Sequence, residues 1–97
     1  MRLEGKNGIV TAAGSGMGRA GAIRFAREGA AVAVVDIDED AVDAVVREIA
    51  DAGGKAKGIV ADLTKDADSR RIVREAANAF KGLDFVWNHV GHPGPAS

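Results

Sequence analysis

Hydrophobic residues along the chain alternate between short continuous runs and longer stretches in which they recur every three or four positions. Continuous β-branched runs predict strands buried on both faces, and the wider spacing predicts amphipathic helices. Four segments predict strands, the third of them less apolar and suited to a sheet edge: 7–11, 31–35, 55–61 and 84–87. Three segments predict helices: 16–28, 38–52 and 65–81.

Each helical segment carries residues expected to face the sheet. These are Ile23 and Ala26 in the first helix, Val42, Val45, Val46 and Ile49 in the second, and Ile72, Val73, Ala76 and Phe80 in the third. Asp38 is the expected N-cap of the second helix, and Thr64 or Asp66 that of the third. The solvated face of the third helix is expected to carry Arg70, Arg71 and Arg74.

Strands that alternate with helices over short connections indicate an α/β fold with a parallel sheet. Right-handed crossovers place the first two helices on one face of the sheet. A return of the fourth strand beside the first gives the strand order 3-2-1-4 and puts the third helix on the other face. This doubly wound arrangement has a crevice at the carboxyl ends of strands one and four, where open α/β sheets bind ligands.

A glycine-rich segment joins the first strand to the first helix. Glycine lets the backbone approach a bulky anion closely, and a helix N-terminus turns unpaired N–H groups toward it. The pattern favours binding of a dinucleotide pyrophosphate, and a plain turn is the open alternative. The candidate cofactor-binding residues here are Ala12, Gly14, Ser15, Gly16, Met17 and Gly18.

Acidic residues follow the second and third strands. Asp36 can accept hydrogen bonds from both hydroxyls of an adenosine ribose and would repel a 2′-phosphate. Because Ile37 comes next, and not Arg or Lys, the sequence favours NAD over NADP. Asp62 can meet the adenine amino group while Leu63 covers the ring. The open alternatives are a solvated acid before the second helix and a loop or capping acid before the third.

The segment after the fourth strand faces the glycine-rich loop in this topology. Gly91 allows close approach of the backbone to a cofactor, and Asn88 can bridge neighbouring strand ends, although a polar turn is the alternative. His89 and His92 have no carboxylate or cysteine close by in sequence, so metal binding is not expected. Trp87 is expected in the core. The candidate cofactor-binding residues of this segment are Asn88, His89, Val90 and Gly91.

Composition narrows the function by exclusion. The 97 residues fit one domain, and 13 basic against 14 acidic residues leave a net charge of −1, with no basic stripe for nucleic acid or an anionic membrane. The absence of cysteine excludes disulfides and thiolate chemistry. The first residues lack the apolar core of a signal peptide, and no apolar run is long enough to span a bilayer. A cytoplasmic protein is therefore expected.

The candidate residues form four motifs that resemble, in order, those of the short-chain dehydrogenase/reductase family. Residues 11–18 resemble its Thr-Gly-x-x-x-Gly-x-Gly motif, and Asp36 resembles its acid after the second strand. Asp62-Leu63 resembles its Asp-Val/Leu pair, and residues 88–91 resemble its Asn-Asn-Ala-Gly. The resemblance implies a Rossmann-type fold and hydride transfer between NAD and a secondary alcohol or ketone, by a homo-oligomer that is a tetramer.

Two departures from the family pattern concern the cofactor. Ala12 stands where the family has its first glycine, which bears on cofactor affinity, and His89-Val90 replaces Asn-Ala near the nicotinamide ribose. A third concerns catalysis, because the family's catalytic Ser and Tyr-x-x-x-Lys lie in a second half and this sequence has no tyrosine. Residues 1–97 are therefore expected to be an NAD-binding half with no catalytic residue. The fourth strand would then be an uncovered apolar edge of an incomplete sheet.

Two other functions remain open at this point. The glycine spacing and the acids after strands two and three also suit a methyltransferase that uses S-adenosylmethionine. Such enzymes usually carry an acidic residue two positions before the first glycine, where this chain has Ala12. The second alternative is a binding module that holds a nucleotide without doing chemistry.

Overall fold

The computed structural model describes residues 3–11, 16–62 and 65–87. The strands in these ranges are β1 (Asn7–Thr11), β2 (Ala31–Asp36), β3 (Lys55–Val60) and β4 (Phe85–Trp87). The helices are α1 (Gly16–Arg27), α2 (Glu39–Asp51) and α3 (Asp66–Phe80). Every predicted element is present, and no predicted boundary differs from the observed one by more than a residue.

The four strands form one parallel sheet in the order β3-β2-β1-β4, which confirms the predicted topology and places β3 at an edge. Side chains of successive strand residues point to opposite faces. In β2, Val32 and Val34 pack on one face while Ala33 and Val35 pack on the other, and all four are fully buried. The centre of the sheet is therefore apolar on both faces.

Helices α1 and α2 cover one face of the sheet, and α3 covers the other, as predicted. The first core cluster consists of Val10, Ala22, Ala26, Ala30, Val32, Val34, Val42, Val45 and Ile49. The second consists of Ile9, Ala33, Val35, Ile59, Ala61, Ile72 and Ala76. The predicted inward residues of α1 and α2 all belong to the first cluster or pack against it.

The prediction that Val73 faces inward is wrong, because its side chain is 48% exposed. Helix α3 buries Ile72 and Ala76, which are four residues apart and therefore lie on one face. Each residue turns a helix by about 100°, so Val73 lies roughly 80° to one side of the direction midway between these two. The third helix presents a narrower apolar stripe to the sheet than the sequence suggests.

Among the described residues, strand β4 is covered on one face and open on the other. Phe25 of α1 packs edge-to-face on Phe85, with ring centroids 5.0 Å apart, and on Trp87, with centroids 5.4 Å apart. Val86 points to the opposite face and is 52% exposed. Phe85 and Trp87, by contrast, pack against the first core cluster. That β4 is an uncovered edge of an incomplete sheet stays a prediction.

Close packing of α1 on β4 requires glycine at position 21. An added Cβ at Gly21 would lie 1.5 Å from Cζ3 of Trp87, which is far inside van der Waals contact. Gly21 is buried, and the indole occupies the space that any side chain there would need. The absence of this one side chain lets helix α1 and the end of β4 approach each other.

We expect Gly21→Ala to lower the free energy of unfolding by about 1–3 kcal/mol, because overlap with the Trp87 indole outweighs the better helix propensity of alanine. Urea unfolding monitored by circular dichroism measures the change. The same substitution in a Trp87→Leu background is the control, since leucine frees the space that the Cβ needs. An equal loss in both backgrounds would show that the indole is not the cause.

Candidate functional site

The carboxyl ends of the strands lie side by side along one edge of the sheet. Thr11 at the end of β1 is in register with Val35, and Asp36 at the end of β2 is in register with Val60. The buried Thr11 hydroxyl donates a hydrogen bond to the backbone carbonyl of Trp87 at 3.4 Å, which links the ends of β1 and β4. These strand ends flank the predicted crevice.

Helix α1 begins at Gly16, where the sequence predicts a pyrophosphate. Gly16 has a φ of 57°, and an added Cβ there would meet no atom of the described residues beyond its own helix within 4 Å. Met17 is 66% exposed and Gly18 is buried. The other candidate residues of this loop lie outside the described residues: Ala12, Gly14 and Ser15.

Two neighbouring carboxylates after β2 have different partners. The backbone N–H of Asp38 donates to Oδ1 of Asp36 at 3.1 Å, which holds the partly buried Asp36 side chain at the strand end. Asp38 itself accepts a hydrogen bond from the backbone N–H of Ala41 at 3.2 Å and is the N-cap of α2, as predicted. Ile37 between them is 66% exposed. Asp38 therefore serves the helix, and Asp36 lies at the carboxyl edge of the sheet.

Asp62 lies two residues beyond β3 at the same edge and is partly buried. Its backbone N–H donates to Oδ2 of Asp68 at 2.8 Å, and its carbonyl accepts from the backbone N–H of Lys65 at 3.1 Å. Leu63, the other candidate residue here, lies outside the described residues. The predicted N-cap of α3 is wrong, because the cap position is occupied by Lys65 without a side-chain capping bond. The acid that binds the connection, Asp68, lies inside the first turn.

Arg71 departs from the prediction for the arginines of α3. Arg70 and Arg74 are exposed as expected, whereas Arg71 is partly buried and binds three groups. It pairs with Glu75 at 2.7 Å and with Asp68 at 3.7 Å, and it donates to the backbone carbonyl of Val60 at 2.8 Å. The hydrogen bond to Glu75 raises the pKa of the guanidinium further above its ordinary value, and the charge of Asp68 also raises it. Sequence reasoning missed this group, of which only the helical spacing is visible in the sequence.

The structure brings Gly16, Asp36 and Asp62 to one edge of the sheet. The candidate residues after β4 lie outside the described residues: Asn88, His89, Val90 and Gly91, together with His92. In the described ranges, no group of three His, Cys, Asp or Glu side chains is arranged to hold a metal ion. Over the same ranges, none of the helices has the length and apolar character needed to cross a membrane.

A concavity of about 560 Å³ lies at the opposite edge, beside the amino ends of β2 and β3. Ala30, Gly54 and Lys55 line it together with the last turns of α1 and α2. Its lining includes none of the predicted site residues that the structure describes. The parallel strands place the loops of the candidate site at their other ends, so this hollow is not the predicted crevice.

Comparison with known proteins identifies the family. The model of the short chain dehydrogenase family matches residues 6–97. A 2,5-dichloro-2,5-cyclohexadiene-1,4-diol dehydrogenase of Sphingobium indicum is 43% identical over 95 residues, which cover 96% of this chain and 38% of that protein. The 7alpha-hydroxysteroid dehydrogenase of Escherichia coli is 39% identical over 95 residues, covering 98% of this chain and 37% of that protein.

Solved structures agree with the sequence matches. A hydroxysteroid dehydrogenase from Escherichia coli superposes with a TM-score of 0.94 at 39% identity, over 97% of this chain and 40% of that one. A 7 alpha-hydroxysteroid dehydrogenase complexed with NADH and 7-oxo glycochenodeoxycholic acid gives a TM-score of 0.93 at 39% identity, over 97% of this chain and 37% of that one. The chain spans about two fifths of the length of these relatives.

We expect Asp38→Ala to lower the free energy of unfolding by about 1 kcal/mol, because the first turn of α2 loses its side-chain acceptor. Urea unfolding measures the change. Asp43→Ala is the matched control, since it removes one exposed carboxylate from the same helix without touching the cap. Equal losses in the two variants would mean that charge, and not capping, stabilises the helix.

Proposed function

The chain belongs to the short-chain dehydrogenase family, and we propose that residues 1–97 form the NAD-binding half of an NAD-dependent oxidoreductase. The oxidoreductase class rests on the family and on its dehydrogenase relatives. The methyltransferase is set aside, because it does not explain the family match across residues 6–97. The choice of cofactor and the substrate class are the proposed part.

The position of Asp36 is the observation that carries the choice of NAD. Its partly buried carboxylate ends β2, and the hydrogen bond from the Asp38 N–H holds it in place. A carboxylate there can accept hydrogen bonds from both hydroxyls of the adenosine ribose, and its negative charge repels a 2′-phosphate. The next residue, Ile37, offers no positive charge for such a phosphate. A related 7 alpha-hydroxysteroid dehydrogenase was solved with NADH.

Three features of the start of α1 support a pyrophosphate there. An added Cβ at Gly16 would meet no described residue beyond its own helix, the helix N-terminus favours negative charge, and the first turn carries no acidic residue. We assign the phosphate contacts to the glycine-rich loop: Ala12, Gly14, Ser15, Gly16, Met17 and Gly18. The nicotinamide ring, when bound, accepts or supplies a hydride.

In this proposal, two further segments bind the adenine and the nicotinamide ribose of the cofactor. Asp62 and Leu63 hold the adenine, since Asp62 lies at the same edge as Asp36, one strand further out. The nicotinamide ribose is assigned to Asn88, His89, Val90 and Gly91, which follow β4 next to β1. The crevice between β1 and β4 is the switch point at which ligands of such sheets lie.

The substrate is proposed to be a secondary alcohol or ketone. Relatives named as a diol dehydrogenase and a hydroxysteroid dehydrogenase support this class. The proton-transferring residues are proposed to lie outside residues 1–97, because the family uses a tyrosine and this sequence has none. A homo-oligomer, a tetramer by family resemblance, and a cytoplasmic location remain predictions.

We expect the protein to bind NAD⁺ at least tenfold more tightly than NADP⁺, and Asp36→Ala to weaken NAD⁺ binding by about 10- to 100-fold, because hydrogen bonds to a charged acceptor are lost. NADP⁺ binding should strengthen, because the charge that opposes its 2′-phosphate is removed, so the preference should shrink. Isothermal titration calorimetry measures both affinities, with S-adenosylmethionine as a third ligand.

Asp43→Ala serves as the control for the loss of a carboxylate and should leave both affinities unchanged. A wild-type preference for NADP⁺ would overturn the assignment of NAD. Tight binding of S-adenosylmethionine without NAD⁺ would replace the oxidoreductase proposal with the methyltransferase alternative.

A further inference from the structure

The connection between β3 and α3 is tied to the helix at two points of its main chain. The backbone N–H of Asp62 donates to Oδ2 of Asp68 at 2.8 Å. The carbonyl of Val60, the last residue of β3, accepts a hydrogen bond from Arg71 at 2.8 Å. Both helix side chains that make these bonds come from the first two turns of α3.

Arg71 and Asp68 also bind each other, so the two ties act as one group. The guanidinium of Arg71 lies 3.7 Å from Oδ1 of Asp68, while the other carboxylate oxygen of Asp68 accepts the Asp62 N–H. Glu75, one turn further along, pairs with Arg71 at 2.7 Å. A guanidinium is a planar fork of five donors, which suits simultaneous contact with a carbonyl and two carboxylates.

Ion pairing on the surface of α3 would not require the contacts that Asp68 and Arg71 make with the backbone of the β3–α3 connection. The side chains of Asp68, Arg71 and Glu75 are 28%, 36% and 36% exposed, and ion pairs at such exposure contribute little to stability. The distinctive feature is that Arg71 and Asp68 also accept or donate hydrogen bonds at the backbone: Arg71 donates to the carbonyl of Val60, and Asp68 accepts from the N–H of Asp62. Arg70 and Arg74 of the same helix are exposed and reach neither backbone group in the described structure.

We propose that Asp68 and Arg71 are positioning residues for the adenine end of the cofactor site. They hold the Asp62 backbone so that its carboxylate faces the adenine amino group, and Arg71 fixes Asp68 while anchoring the end of β3. This proposal rests on the proposed binding of NAD by Asp62. It adds two residues of α3 that the four sequence motifs do not include.

The test uses an analogue that changes only the adenine. An NAD⁺ analogue in which purine replaces adenine carries hydrogen in place of the amino group and keeps N1 as an acceptor, so it lacks the amino donor for the Asp62 carboxylate. The full-length protein that carries this chain should bind NAD⁺ about tenfold more tightly than the analogue, which is the usual size of one lost hydrogen bond to a charged group. Calorimetry gives both affinities without any enzyme turnover.

The variants separate positioning from stability. In Arg71→Met and Asp68→Ala, the ratio of the two affinities should fall toward one, because Asp62 is no longer held. Asp68→Asn keeps an oxygen that accepts the Asp62 N–H and should retain most of the preference. Arg74→Met removes an exposed charge from the same helix and should leave the ratio at the wild-type value. Thermal unfolding of each variant, measured in parallel, reports the structural cost.

A preserved ratio in Arg71→Met and Asp68→Ala would overturn the positioning role while leaving NAD binding intact. A wild-type protein that binds NAD⁺ and its analogue equally would remove the adenine role of Asp62, and the positioning role with it. Absence of NAD⁺ binding in the wild type would instead contradict the proposed function. Should Arg71→Met not fold, Arg71→Lys keeps the charge, lacks the fork geometry and gives the same comparison.

Discussion

Burial of β2 on both faces is the constraint on which the rest of the structure depends. Val32 and Val34 need a cover on one side of the sheet, and Ala33 and Val35 need one on the other. Helices must therefore lie on both faces, and right-handed crossovers decide which helix goes where. The same rule brings every strand-to-helix connection to one edge. The position of the candidate site thus follows from the need to bury a few consecutive aliphatic side chains.

The sequence predicts this frame well because the decisive signals are local. Runs of β-branched residues mark the strands, and Asp38 caps α2 because its side chain needs only the N–H of Ala41, three residues on. The assignments of Val73 and of the α3 cap were wrong for the opposite reason. Whether Val73 faces inward depends on how α3 packs on the sheet. That Asp68 binds the β3–α3 connection likewise depends on the position of α3 relative to β3 and not on the local sequence.

The candidate site shows the same division. Asp36 and Asp62 were predicted from their positions after strands, and the structure places both at the carboxyl edge. The contacts that hold them were not predictable in full. The helical spacing of Asp68, Arg71 and Glu75 suggests ion pairs, but nothing in that spacing indicates that Arg71 also reaches the carbonyl of Val60. A hydrogen bond between a side chain and a backbone group far away in the sequence produces no periodic pattern from which it could be predicted.

The pairing of β1 with its two neighbours has an unequal entropic cost. β1 meets β2 at Asn7 and Ala31, but it meets β4 at Gly8 and Phe85, across more than three times as much chain. Closure of the longer loop costs on the order of 1 kcal/mol more, and the contacts of β4 with β1 and α1 offset it. The strands that border the predicted crevice are therefore paired in two ways. β1 pairs with β2 across a short stretch of chain, and β1 pairs with β4 across a long one. Of the two pairings, that of β1 with β4 carries the larger entropic cost of closure.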